Sequence, residues 1–114
     1  ILLVLMVATL YACSKSNGGG GGGGGMVFTP TCSAAVSFTG DVAPIVQNSC
    51  AISGCHATGS INGPGALTSY QQVFNNRAAI RTAVANGTMP KTGTLSASQK
   101  NAILCWIDAG AVSN

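Results

Sequence analysis

Apolar residues fall along this chain in three regimes. From Ile1 to Leu10 they form a run with no polar face. Gly18 to Gly25 then carries no side chains at all. Beyond it, apolar residues return at helical spacing. Val42, Ile45 and Val46 predict a first helix, with Asp41 as its cap and Pro44 tolerated in its opening turn, running to Cys50. Asn62-Gly63-Pro64-Gly65 has the chemistry of a loop. Tyr70, Val73, Phe74 and Arg77 predict a second helix started by Thr68 or Ser69; after a break at Asn75-Asn76 it continues through Ile80 and Val84 to Asn86-Gly87. Ser96 with Gln99 forms a capping box for a last helix, whose stripe of Ala102, Cys105, Trp106 and Ala109 ends at Gly110. No segment alternates convincingly with a period of two, so the expected fold class is all-α, with the helices following a leader and a glycine tether.

The apolar run is too short to span a bilayer and is followed at once by Ser14 and Lys15. With Ala12 ahead of Cys13 it resembles a bacterial lipoprotein signal, in which the cysteine is lipidated and becomes the new N-terminus. The chain begins without a methionine or a basic segment, which implies a start further upstream. A buried helix of the domain is the competing reading of this run, and the glycine stretch separating it from everything else speaks against it. The expected organisation is a signal segment over 1–13, a flexible tether over 14–31 and one domain over 32–114. A lipid at Cys13 would hold the domain to a membrane without a spanning helix. That destination is the exported, periplasmic side or the outer membrane, with Ser14 after the cysteine pointing to the latter.

Composition narrows what the domain does. The full chain of 114 residues has only two acids, Asp41 and Asp108, against five Lys and Arg, and a single histidine. Paired-carboxylate catalysis has too few acids, the first being wanted as a cap and the second lying near a helix end. The positive charge is dispersed and lacks interleaved aromatics, so no nucleic-acid partner is expected. The glycine run has no flanking strand, helix and lysine to make a phosphate loop. A cysteine or serine hydrolase would need an orienting acid for His56, and none is in view. A domain this small buries little core unaided and ordinarily relies on a disulfide, a metal or a large cofactor. The low aromatic content suits a fold wrapped on such a cofactor.

The segment Cys50-Ala51-Ile52-Ser53-Gly54-Cys55-His56 supplies a chemistry of that kind. Covalent haem attachment needs two thiols to make thioethers with the vinyl groups and an adjacent imidazole to bind iron. Cys55-His56 has that adjacency. Four residues separate the cysteines where the usual motif has two, so the loop must bulge. Downstream, Asn86-Gly87-Thr88-Met89-Pro90 places a thioether in a loop, a natural second axial ligand; the alternative reading of Met89 is a residue that fills the core. The expected site is therefore one covalent haem c on Cys50, Cys55, His56 and Met89, with His56 and Met89 on the metal.

In this order the landmarks Asp41-Val42-Ala43-Pro44-Ile45, Cys55-His56, Leu67-Thr68-Ser69-Tyr70, Gly87-Thr88-Met89-Pro90 and Trp106-Ile107-Asp108-Ala109-Gly110-Ala111 resemble a small class I c-type cytochrome. The resemblance runs from Ser37 to Asn114. It implies an all-α fold with N- and C-terminal helices packed together, His56 proximal, Met89 distal, and single-electron transfer rather than enzymatic bond chemistry. A redox protein is the implied partner. The stretch between His56 and Met89 is shorter than the family's pattern. With Cys13 lipidated and Cys50 and Cys55 on haem, Cys32 and Cys105 remain, and in an oxidising compartment they are expected to pair.

Arg77, Arg81 and Lys91 are candidates to neutralise haem propionates or to face an acidic partner, against a plain reading as solvated charge. Tyr70 and Trp106 read as packing residues. Three rivals stand beside the electron carrier. A haem-free, disulfide-stabilised extracellular module would pair Cys50 with Cys55. A zinc site would use Cys50, Cys55, His56 and another cysteine, although no second ligand pair sits at finger spacing. A haem peroxidase would need distal assistance that the sequence does not offer.

Overall fold

The computed structural model describes residues 26–114. The signal segment, Cys13 and the glycine run lie outside the described residues. Within them the protein is helical and has no strand. A π-helical turn, Phe38–Val42, runs directly into α1, Ala43–Ser49; α2 spans Tyr70–Asn75, α3 Arg77–Ala85 and α4 Ala97–Asp108. None of these helices is long and apolar enough to cross a membrane.

The start of the first helical segment differs from the sequence expectation. Ser37, not Asp41, is its cap: the Ser37 hydroxyl accepts from the Gly40 N–H at 3.0 Å. Asp41 lies one turn in, and its carboxylate accepts from the Ser37 N–H at 2.8 Å. The short side chain at 37 reaches forward and the acid at 41 reaches back, a reciprocal arrangement that satisfies donors at both ends of the turn. Pro44 sits in the opening turn of α1, where its missing N–H costs nothing.

The other helix signals operate as chemistry dictates. Ser69 caps α2 and Ser96 caps α4, each with a full capping box completed by Gln72 and Gln99. Asn76 interrupts the run between α2 and α3. At the end of α4, the Ala111 N–H donates to the Trp106 carbonyl at 2.8 Å and the Gly110 N–H to Ile107 at 3.1 Å, a Schellman closure. Gly110 has φ of +111°, which the absence of Cβ permits.

Burial on α4 departs from the expected stripe. Ile103, Leu104, Cys105 and Trp106 are all buried, while Ala109 is exposed. The helix is covered on several sides: the Phe38–Val42 turn packs on it, as does α3. Trp106 is 1% exposed and its indole N–H donates to the Val112 carbonyl at 2.9 Å. Around it, Phe38 meets Tyr70 edge-on at 5.1 Å and Trp106 at 5.3 Å, and the Tyr70 hydroxyl donates to the Ala111 carbonyl at 2.8 Å. Phe38, Tyr70, Phe74 and Trp106 thus form one aromatic cluster where the two ends of the fold meet.

The chain ahead of Cys32 joins the domain. The Phe28 N–H donates to Ala85 at the end of α3, and the Thr31 N–H to the Asn101 side chain on α4. Cys32 and Cys105 are joined by a disulfide with Cα atoms 5.4 Å apart, tying this arm to α4.

Candidate cofactor site

Ile103 of α4 faces a cavity of about 490 Å³, within the range of small-molecule and cofactor sites. Its walls come from both halves of the motif pattern. Val46, Ser49 and Cys50 project from α1; Ile80, Ala83 and Val84 from α3; Ile103 from α4. Cys55 and His56 line it from the loop after α1, and Met89 from the loop after α3. All four residues expected from sequence to hold a haem therefore share one cavity. The stretch from His56 to Met89, short as it is, suffices to bring both to it.

The wide cysteine spacing has a local solution. Cys50 ends α1, its N–H donating to Val46 at 2.9 Å, and residues 51–55 then fold into turns. The Cys55 N–H donates to the Ile52 carbonyl at 3.0 Å, and Gly54 adopts φ of +83°. The chain comes back on itself, so that the His56 N–H donates to the Cys50 carbonyl at 3.0 Å. The bulge is absorbed between the two cysteines.

His56 is 5% exposed and is fixed on three sides. Besides the bond to Cys50, its carbonyl accepts from the Leu67 N–H at 2.8 Å, and its ring Nδ1 lies 2.8 Å from the Gly65 carbonyl. A carbonyl only accepts, so Nδ1 carries the proton and Nε2 presents a lone pair. Nε2 has no hydrogen-bond partner among the described residues. A buried imidazole with one nitrogen anchored on a backbone carbonyl and the other bare is how a metal-ligating histidine is held. Sequence reading identified His56 but not Gly65: the Asn62-Gly63-Pro64-Gly65 segment carried only a loop signal, and its service to the histidine is a product of tertiary placement. The loop is stitched to the motif by the Asn62 side-chain amide, which donates to the Gly54 carbonyl at 2.8 Å, and by a short bond from the Ser60 hydroxyl to the Cys55 carbonyl.

The two sulfurs differ. Cys50 is a free, half-buried thiol, and desolvation pushes its pKa up. Cys55 is buried and is disulfide-bonded in this structure. A thioether would use the same sulfur in its reduced form, so the two bonds exclude one another. Met89 is half-buried, with its N–H donating to the Ala83 carbonyl at 3.2 Å, which ties the loop to the last turn of α3. No group of three or more His, Cys, Asp or Glu is placed to hold a metal ion among the described residues. A mixed imidazole and thioether pair on a haem iron is a donor set of another kind, and the apolar walls, the bare Nε2 and the loop sulfur fit it.

The basic residues fall into distinct settings. Arg77 stacks over the Phe74 ring at 4.0 Å and donates to the Phe74 carbonyl. Arg81 makes a bidentate pair with Asp108 at 2.6 and 2.9 Å, which lowers the Asp108 pKa and raises that of Arg81. Lys91 alone of the three lines the cavity. Tyr70 and Trp106 lie in the aromatic cluster, not in the cavity wall.

No family model matches the chain, and neither the curated proteins nor the solved structures give a match to it.

Proposed function

We propose that this protein is a c-type cytochrome, a carrier of single electrons on one covalent haem, held to a membrane through a lipid at Cys13. The observation that carries this reading is the convergence of Cys50, Cys55, His56 and Met89, drawn from two separate segments, on one apolar cavity. His56 would hold the iron through Nε2 and Met89 through its thioether sulfur, and the two cysteines would be the attachment points. The haem supplies a metal that cycles between ferrous and ferric states.

The chain's own contribution is to position and insulate. The Gly65 carbonyl fixes the tautomer and rotation of His56, keeping its basic nitrogen toward the cavity. Val46, Ile80, Val84 and Ile103 would keep water from a bound haem, which, together with a thioether ligand, would favour the less charged ferrous state and raise the potential. The fold leaves no acid in the cavity wall to oppose that effect.

The disulfide at Cys55 favours a second reading, a haem-free exported module stapled by disulfides whose cavity takes another apolar ligand, although not through the Cys50–Cys55 pair expected for it, because Cys50 is a free thiol. One experiment separates the two: a reduced-minus-oxidised visible spectrum and denaturing-gel haem stain of the full chain, exported in a host that matures c-type cytochromes. Electron transfer through haem c requires sharp reduced bands, stain that survives denaturation, and a ferric band toward the red that disappears in Met89→Ala. A colourless product from a host that matures a control cytochrome rejects the reading and leaves the disulfide-stapled module.

A further inference from the structure

We infer that Lys91 is the carboxylate-binding residue of this cavity, reading an acidic group at the edge of an otherwise apolar ligand. Most charged side chains of the described residues already have partners. The chain's only acids are Asp41 and Asp108. Asp41 is bonded to Ser37 and Asp108 to Arg81. Of the cations among the described residues, Arg77 lies on Phe74, Arg81 on Asp108, and Lys100 is 5.2 Å from the Phe28 ring centre. Lys91 lines the cavity and has no partner among the described residues. Thr92 beside it also lines the cavity, and its hydroxyl is likewise without a hydrogen bond there.

The loop bearing Met89 therefore presents a neutral thioether and, two residues on, a mobile cation and a hydroxyl to the same space. An ammonium on a flexible stem suits a carboxylate that must stay ionised at the boundary between cavity and solvent. On the haem reading, on which this inference rests, the group it meets is a propionate. The three cations that sequence offered for this role are reduced to one, because the other two already have partners.

The test uses the haem-loaded full chain and follows its midpoint potential against pH. In the haem-loaded chain the other ionisable side chains lining the cavity, His56, Cys50 and Cys55, would be taken up by the iron and the thioethers, and none of them is altered. Lys91→Gln and Lys91→Glu are compared with the native protein and with Lys100→Gln, a cation outside the cavity. Loss of the pairing cation makes the carboxylate harder to ionise, so the inflection of the profile moves to higher pH. The expected move is about half a pH unit in Lys91→Gln, as for a modest, partly solvated ion pair. It is larger in Lys91→Glu, shrinks as salt is raised, and is absent in Lys100→Gln. An unmoved inflection in both Lys91 variants with haem attached overturns the assignment while leaving the cytochrome intact, and an equal move in Lys100→Gln overturns it as a diffuse charge effect. A native chain that carries no haem overturns the reading beneath it as well.

Discussion

Cutting the Cys32–Cys105 disulfide should cost this domain a large part of its stability. The bond spans a sequence separation of 73 residues, nearly the whole described chain. In the chain-entropy treatment, closing a loop of that length removes about 15 cal/mol/K from the unfolded state, or about 4.4 kcal/mol at 25 °C. Small domains have only about 5–15 kcal/mol in total. A domain of this size loses about 4–8 °C of melting temperature per kcal/mol, so a fall of about 20 °C or more is expected. The perturbation is Cys32→Ser with Cys105→Ala, because Cys105 is 5% exposed and a hydroxyl there would be buried without an assured partner. Chemical reduction is a poorer choice, since it also opens the disulfide at Cys55. The assay is thermal unfolding followed by far-ultraviolet circular dichroism, with a denaturant series to check that the slope is unchanged. A fall of less than about 5 °C would refute the reasoning, meaning that the arm from Phe28 to Cys32 is held to α3 and α4 without the bond or that the unfolded chain is already compact. Because Ile103 of α4 lines the cavity, the same variant should also weaken retention of anything held there.

Two further outcomes follow from the titrating groups. The Cys50 thiol, raised by burial, favours its neutral form in the fold; alkylation at pH 8 should be slower than in denaturant, and stability should decline as pH rises above the usual thiol range, a decline missing from Cys50→Ser. Asp108 is held below the ordinary carboxylate range by Arg81, so its contribution is present at neutral pH and is lost as pH falls from that range through the lowered value; Asp108→Asn should show less acid sensitivity in a pH series of urea midpoints.

Much of the helical pattern was legible because its signals are local. Capping boxes at Ser69 and Ser96 and the stop at Gly110 act within a few residues and are unaffected by the remainder of the fold. Asp41 misled for the same reason. It has the right chemistry for a cap, but Ser37, one turn earlier, does the capping, and a π-helical turn lengthens the segment between them. The residues that hold the candidate site's geometry were less visible. Nothing in the pattern around Gly65 announces a carbonyl aimed at His56, and nothing in the charges of Arg81 and Lys91 says which faces the cavity. Those facts depend on contacts between distant segments, which spacing along the chain does not encode.

The sulfur chemistry now carries most of the functional weight. The turn over residues 51–55 returns the His56 N–H to the Cys50 carbonyl, so the four-residue spacing still leaves both cysteines and the histidine on one cavity. It does separate the roles of the two thiols. Cys55 is adjacent to His56 and buried beside it, so a thioether there and imidazole ligation would be geometrically coupled, whereas Cys50 lies at the end of α1 with the Ile52–Gly54 turn between. On the haem reading, Cys55→Ser should therefore abolish attachment and Cys50→Ser should leave a single thioether. The disulfide at Cys55 competes for the same atom and prevails wherever oxidation precedes attachment. A chain exported into an oxidising compartment with this arrangement needs its thiol kept reduced until the vinyl group arrives, and the redox history of one buried sulfur decides between an electron carrier and a disulfide-stapled module.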